Sequence, residues 1–332
     1  MNRVLIPPTL SVPPPRHPPH ARLEKLEGKT MGTSWSVKLV LPQGLALPEL
    51  RAGIQGELDR VVAQMSPWEQ GSDLCRFNKA TAGTWQTLPE EFYTVLDHAL
   101  ALARDTQGAY DPTVGPLVDL WGFGPLPRQD APPSAEAVAE ARTHSGWRHV
   151  TLDPATRRAF QPGGVRLDLC SIAKGFGVDL VAAYLRRSEV RNFLVEVGGE
   201  LRGEGTKPDF SPWWVALERP PSADLVQTVL ALYGLSVATS GDYRRYFEHG
   251  QRRYCHTIDP RTGFPILDRP ASVSVLHPEA MAADALATAL SVLGVGEGMA
   301  FARERNIAAL FLSRWGDGFA EQMTPALAEM ID

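Results

Sequence analysis

The order of two hydrophobic periodicities limits the fold of this chain more than any other feature. Between residues 23 and 332, segments of alternating apolar residues, typical of strands, and segments with helical spacing follow one another in a mixed order. A regular βαβα order would predict a parallel sheet, whereas this order predicts an α+β fold of mainly antiparallel sheets and packed helices. With 332 residues, 44% of them hydrophobic, the chain can bury a large core in a single body.

The segments divide the chain into a short tail and one domain. The apolar spacing predicts helices over residues 47–65, 88–107, 171–187, 281–294 and 295–306. Alternation bounded by Gly or Pro predicts strands over residues 29–41, 193–205, 212–220 and 271–277. Residues 1–22 are rich in proline and predict a disordered or extended, solvated tail, which leaves residues 23–332 as the domain.

Charge and cysteine content exclude several classes of function. The net charge is −5, and the 33 basic residues form no stripe, so nucleic acid is not an expected partner. No run of about 20 uninterrupted apolar residues predicts a transmembrane span. The scattered Cys75, Cys170 and Cys255 predict reduced thiols, and the N-terminus lacks the pattern of a signal peptide. We therefore expect a cytoplasmic protein.

The segment DLCSIAKGFGVD is the first candidate site. Asp168, Ser171 and Lys174 precede or open a predicted helix whose glycines permit close approach. Free N–H groups at a helix start, together with a lysine, favour a phosphate. The alternative is a helix start that packs through its small residues. The chain has no GxGxxG or GxxxxGK[ST] motif, so neither a Rossmann site nor a P-loop is predicted.

Two further segments supply oxygen ligands and a base. In MAADALATAL, Asp284 and Thr288 are four residues apart and share a helix face, which suits Mg²⁺ beside a substrate phosphate; a solvated polar pair is the alternative. In YCHTIDPRTGFP, His256 precedes a turn rich in Asp, Pro and Gly, and histidine suits proton transfer near neutral pH. A structural histidine is the alternative there.

Eight segments in one order together resemble a known family. The chain is similar to the ApbE family of FAD:protein FMN transferases in MGTSWSV, MSPWEQGSDLCRFN, DPTVGPLVDLWGFG, DLCSIAKGFGVD, VEVGGEL, ATSGDYRRYF, CHTIDPRTG and AADALATAL. The resemblance implies a compact α+β fold in which FAD lies in a cleft and Mg²⁺ bridges its pyrophosphate. It also implies that FMN is passed to a Thr or Ser hydroxyl of a target flavoprotein.

The resemblance assigns roles residue by residue. It implies flavin contacts from Met31 and from Trp68, whose loop position also suits stacking on a planar ring. It implies that FAD is held by Asp111, Thr113, Asp168, Lys174 and Ile258. It implies a metal site formed by Ser171, Asp284 and Thr288, and His256 as the base that prepares the acceptor hydroxyl.

The chain departs from the family pattern at several of these positions. Trp68 stands where Tyr is more common, Ser171 where Ala is frequent, Phe176 where Tyr is usual and Glu196 where Asn is frequent. Many relatives also carry an export signal in place of the Pro-rich start. Three other interpretations stay open at this point: an FAD carrier without transfer, a metal-dependent FAD pyrophosphatase giving FMN and AMP, and a purely structural protein.

Overall fold

A computed structural model describes residues 2–8, 21–127, 131–220, 224–267 and 270–332. The helices are α1 (Leu47–Met65), α2 (Asp73–Lys79), α3 (Glu90–Asp105), α4 (Gly115–Leu120), α5 (Ala135–Thr143), α6 (Ala173–Arg187), α7 (Ala280–Glu304) and α8 (Pro325–Ala328). The strands are β1 (Arg3–Leu5), β2 (Arg22–Thr30), β3 (Thr33–Leu41), β4 (Thr84–Thr87), β5 (Leu152–Asp153), β6 (Arg158–Gln161), β7 (Phe193–Val197), β8 (Glu200–Glu204), β9 (Trp213–Ala216), β10 (Thr228–Leu232), β11 (Leu235–Gly241), β12 (Tyr246–His249), β13 (Arg252–Cys255), β14 (Ile258–Asp259), β15 (Phe264–Pro265), β16 (Ser272–His277), β17 (Ala308–Trp315) and β18 (Gly318–Met323).

An eight-stranded antiparallel sheet organises the protein. Its strand order is β18-β17-β16-β11-β8-β7-β3-β2, and smaller sheets of order β1-β10-β9 and β4-β6-β5 accompany it. The strands β12 and β13 form a separate hairpin, and β14 pairs with β15. Among the described strands only β1 and β10 pair in parallel. The predicted α+β fold with mainly antiparallel sheets is confirmed.

Each face of the large sheet is covered by a different layer, as the period of two in its strands requires. On β17, Leu310 and Leu312 pack in a cluster with the β1-β10-β9 sheet, whereas Phe311 packs in the cluster that contains α3 and α7. A further cluster buries Trp35 and Phe193 beneath α1 and α6. The helices α6 and α7 therefore lie on the same body and can carry one site.

Helix α7 is the central helix of the core. Gly294 (φ +76°, ψ −179°) interrupts it, which confirms the two predicted helical segments on either side. By length and hydropathy this helix could cross a membrane, but 67% of its most apolar window is buried inside the protein. Its apolar surface packs on α6, β11 and β16, which is the setting of a core helix.

Close packing fixes the start of α7 against α6. A Cβ atom at Gly175 would overlap the carbonyl oxygen of Ala280 and lie 2.8 Å from the Cβ atom of Asp284. The carboxylate of Asp179, on α6, accepts hydrogen bonds from the backbone N–H groups of Ala280 (3.0 Å) and Met281 (2.8 Å). These bonds satisfy donors that every helix start leaves unpaired. The residues of α7 that follow are thereby held beside the first turn of α6.

An aromatic cluster holds the β12–β13 hairpin. Trp121 stacks on Tyr254 with ring centroids 5.5 Å apart, and Phe247 stacks on Tyr254 at 5.0 Å. The indole N–H of Trp121 donates to the carbonyl oxygen of Gly263 at 2.8 Å. The segment that leaves this hairpin therefore has a fixed position.

The N-terminal residues that the structure describes differ from the prediction. Arg3–Leu5 form β1, which pairs with β10, and the Leu5 side chain is fully buried. These residues form a packed strand, whereas a disordered or extended, solvated tail was predicted for residues 1–22. Pairing with β10 satisfies their backbone N–H and C=O groups, and the Pro-rich composition gives no sign of that distant partner. Residues 9–20 of that tail lie outside the described residues.

Candidate active site

Lys174, Glu200 and Asp284 form a charged group between α6, β8 and α7, in which both carboxylates are buried and the Lys174 side chain is 30% exposed. The Lys174 ammonium forms an ion pair with Glu200 Oε1 and lies 3.7 Å from Asp284 Oδ1. The backbone N–H of Gly175 donates to Asp284 Oδ2 at 3.0 Å. Two sequence motifs more than 100 residues apart are thus joined at one point, with Glu200 between them.

The protonation of this group follows from its burial. Burial raises the pKa of Asp284 above its usual range, and the Glu200 carboxylate adds to the effect while the Lys174 ammonium opposes it. Burial alone would lower the pKa of Lys174, but the carboxylates of Asp284 and Glu200 raise it above its ordinary value. Lys174 is therefore a charged ammonium held among carboxylates.

A backbone hydrogen bond joins the loop of Asp111 and Thr113 to the segment that carries Asp168. Asp111 Oδ1 accepts from both the N–H (2.8 Å) and the hydroxyl (2.7 Å) of Thr113, and its Oδ2 accepts from the Trp147 N–H at 2.9 Å. The N–H of Asp168 donates to the Pro112 carbonyl oxygen at 2.8 Å. The oxygens of Asp111 and Thr113 are thus engaged within the protein, and these two side chains fix the loop that carries Asp168.

Asp168 and its neighbours lead into α6. The Asp168 Oδ1 accepts from the Cys170 N–H at 2.8 Å. Burial, with the adjacent Asp168 carboxylate, raises the pKa of the Cys170 thiol well above its usual value, which disfavours the reactive thiolate. The cysteines are free.

Tyr110 joins Ser171 to the same region. The Ser171 hydroxyl donates to the Tyr110 phenol oxygen at 3.1 Å, which leaves the lone pairs of the serine oxygen available to a ligand. Tyr110 is fully enclosed, and burial raises its pKa, with the Asp284, Asp168 and Asp111 carboxylates contributing. Tyr110 is therefore a neutral phenol that holds the Ser171 hydroxyl in place by a hydrogen bond.

His256 follows the β12–β13 hairpin, as a neutral imidazole. Its Nδ1 lies 3.2 Å from the Arg245 carbonyl oxygen, which can only accept a hydrogen bond, so Nδ1 carries the proton and Nε2 is left as an acceptor. Burial lowers the pKa of His256 to about 4, and the positive charges of Arg245 and Lys174 contribute. The ring also meets Phe123 edge-on at 6.4 Å. This arrangement provides a base at neutral pH.

The other predicted site residues differ in burial and in position along the fold. Met31 is in the left-handed region (φ +48°) at the β2–β3 turn and its methyl group lies against Gly177 of α6. Ile258 is buried in the aromatic cluster. Thr288 is one turn beyond Asp284 on α7 and half-buried. Trp68 is 49% exposed on the loop between α1 and α2.

The oxygen set suits a hard divalent cation. Within the described parts of the chain, no group of three or more His, Cys, Asp or Glu residues could hold a metal. A Mg²⁺ ion does not need one, because it retains waters and shares its shell with substrate phosphates. Ser171, Asp284 and Thr288 offer oxygen only, and the buried Asp284 carboxylate, with its raised pKa, is a group that a cation would stabilise in the charged form. The residues therefore fit Mg²⁺.

Comparison with known proteins assigns the chain to a family. Residues 31–311 match the ApbE family. The chain belongs to the ApbE family. An ApbE-family protein of Vibrio cholerae named FAD:protein FMN transferase is 42% identical over 299 residues, which cover 89% of both chains. A protein of the same name from Haemophilus influenzae is 39% identical over 315 residues, covering 92% of this chain and 91% of its own.

A solved ApbE structure has the same fold. The apo form of the flavinyl transferase ApbE from Pseudomonas stutzeri superposes with a TM-score of 0.87 at 40% identity. The match covers 93% of this chain and 97% of that one. The predicted resemblance to the ApbE family is therefore confirmed over nearly the whole length.

Three residues of this ApbE-family site were missed in the sequence. Glu200 and Arg245 lie in the segments VEVGGEL and ATSGDYRRYF, which carry the resemblance; Glu200 begins β8 and Arg245 lies in the turn before β12. Tyr110 immediately precedes the DPTVG segment. The sequence offers no separate signal for any of these three residues.

Proposed function

We propose that this protein transfers FMN from FAD to a Thr or Ser hydroxyl of a target flavoprotein, in a reaction that requires Mg²⁺ and releases AMP. The observation that carries the proposal is the meeting of α6 and α7, which places the Lys174 ammonium between the carboxylates of Glu200 and Asp284. Membership of the ApbE family and the names of its relatives support the same activity.

The binding of FAD is assigned to residues around the first turn of α6. The Lys174 ammonium suits the pyrophosphate. The backbone N–H groups of Ala173 and Gly175 at this helix start are already bonded, to the Leu169 carbonyl oxygen and to the Asp284 carboxylate. Met31 and Trp68 are the candidates for the flavin rings, and Ile258 for the chain beside His256. Asp111 and Thr113 act on FAD through the loop that they hold, which carries Asp168.

Ser171, Asp284 and Thr288 would hold Mg²⁺. The ion, when bound, would neutralise charge on the pyrophosphate, which phosphoryl transfer needs more than it needs a protein nucleophile. The Gly175 N–H keeps the Asp284 carboxylate oriented, and Tyr110 does the same for Ser171. The protein therefore contributes a rigid set of oxygen ligands.

His256 takes the proton of the acceptor. The acceptor hydroxyl oxygen forms a new bond to the FMN phosphorus while the bond from that phosphorus to the AMP oxygen breaks. The hydroxyl proton passes to His256 Nε2, and the Arg245 carbonyl keeps Nδ1–H fixed throughout. AMP leaves with the electron pair of the broken bond, so no covalent intermediate with the protein is needed.

AMP release tests the proposal against its alternatives. The protein is incubated with FAD, Mg²⁺ and an acceptor domain, or with the same domain carrying valine at the modified threonine. We expect AMP in equal amount to acceptor with the first domain and none with the second. Free FMN and AMP with the valine domain would indicate a pyrophosphatase, and intact, tightly held FAD with both domains would indicate a carrier.

A further inference from the structure

Glu200 is a buried carboxylate of which only one oxygen has a partner among the described residues. It begins β8 directly after the turn Gly198–Gly199, where both glycines have positive φ (+64° and +109°), and it is 3% exposed. Its Oε1 pairs with the Lys174 ammonium. Its Oε2 is buried without a hydrogen-bond partner among the described residues.

Such an arrangement is poor for stability. A carboxylate oxygen removed from water without a donor is unfavourable, and a buried ion pair often contributes no more than apolar residues of the same volume. Glu200 also adds negative charge next to Asp284, whose pKa it raises further. The ion pair with the Lys174 ammonium is therefore the feature of Glu200 to which a function can be assigned.

We propose that Glu200 is a positioning residue for the transfer reaction, which holds the Lys174 ammonium where it meets the phosphates of FAD. Lys174 has a flexible four-carbon stem, and Asp284 alone, at 3.7 Å, does not form a close pair with it. The ion pair with Glu200 Oε1 holds the ammonium at one place between β8 and α7. This inference rests on the proposed function, because it assigns Lys174 to FAD.

Glu204 provides a matched control on the same strand. It lies four residues further along β8 and forms ion pairs with Arg186 and Arg202, the latter at 2.8 Å, with its side chain 16% exposed. Arg186 is in the last turn of α6, and Arg202 is on β8 itself. Glu204→Gln removes the same charge from the same strand without touching Lys174.

The test measures FAD affinity without turnover, by quenching of flavin fluorescence in the absence of acceptor, with and without Mg²⁺. Glu200→Gln should raise the dissociation constant for FAD about tenfold, the scale found for supporting residues behind a ligand, while Glu204→Gln leaves it unchanged. In the Lys174→Met background, Glu200→Gln should have no further effect. Turnover should show a raised KM for FAD and an unchanged KM for the acceptor.

Three results would overturn the inference. The first is an unchanged FAD affinity in Glu200→Gln, and the second is an equal loss in Glu204→Gln. The third is a full additional loss on the Lys174→Met background, because Glu200 would then act independently of Lys174. Failure of the unsubstituted protein to bind FAD would contradict the proposed function instead. Thermal unfolding of each variant identifies a loss that comes from misfolding.

Discussion

At the scale of single residues, the site works through protonation states set by burial. His256 is neutral because the cost of burying a cation, together with the Arg245 charge, lowers its pKa to about 4. Lys174 stays charged in a comparable setting because two carboxylates surround it. The same cost of burial thus leaves His256 neutral and Lys174 charged, because their neighbours differ.

The pH dependence of transfer should reveal this effect. A base with a lowered pKa is deprotonated above that value, so kcat/KM for the acceptor should fall only as the pH decreases towards about 4 rather than near 6.5. Arg245→Met removes one positive charge but keeps the backbone carbonyl that binds Nδ1–H. The pKa of His256 should then rise, and the acid limb of the profile should move to higher pH.

The neighbouring Arg252 offers the control for that experiment. It is exposed on β13 of the same hairpin, and Arg252→Met should leave the acid limb unchanged. An acid limb that stays in place in Arg245→Met would show that Arg245 does not set the protonation of His256.

At the scale of elements, the site depends on the contact between α6 and α7. Gly175 lets the two helices approach, and Asp179 caps the start of α7 from α6. This contact was not predictable from the sequence, although the bounds of α1 were, because periodicity describes the faces of a helix and does not identify its partner. Lys174 and Asp284 were accordingly found as two separate motifs, and Glu200, which joins them, was missed.

Gly175→Ala should break this contact. Its Cβ atom would overlap the Ala280 carbonyl oxygen, so we expect a loss of about 1–3 kcal/mol in the free energy of unfolding. Gly56→Ala is the control: Gly56 is exposed on α1 with no atom near its Cβ position, and alanine there should add about 0.5–1 kcal/mol. Denaturant unfolding measures both, and equal effects of the two substitutions would contradict the packing argument.

At the scale of the whole molecule, one antiparallel body brings distant segments to a single site. The α+β class was predictable because alternating and helical periods mark strands and helices locally. The strand order, the burial of β1 and the union of α6 with α7 were not, since they depend on contacts between residues far apart in the chain. The prolines of the N-terminal region hid β1 in the same way, because its pairing partner lies more than 200 residues away.

Metal binding should be visible without substrate. Mg²⁺ alone should raise the melting temperature, because a ligand that binds only the folded state stabilises that state. At a Mg²⁺ concentration of 100 times Kd, the free energy of unfolding should rise by about 2.7 kcal/mol. Asp284→Asn should abolish the shift. Ser291→Ala changes a buried hydroxyl of the same helix that bonds to the Ala287 carbonyl, and it should keep the shift. A Mg²⁺ shift that persists in Asp284→Asn would place the cation elsewhere.

The intact mass of an acceptor flavoprotein tests the central claim most directly. After incubation with this protein, FAD and Mg²⁺, the acceptor should gain the mass of one FMN, and His256→Ala should slow that gain about 10²- to 10⁴-fold while it still binds FAD. An acceptor of unchanged mass in the presence of bound FAD and Mg²⁺, or an equal rate of modification by His256→Ala, would contradict the account.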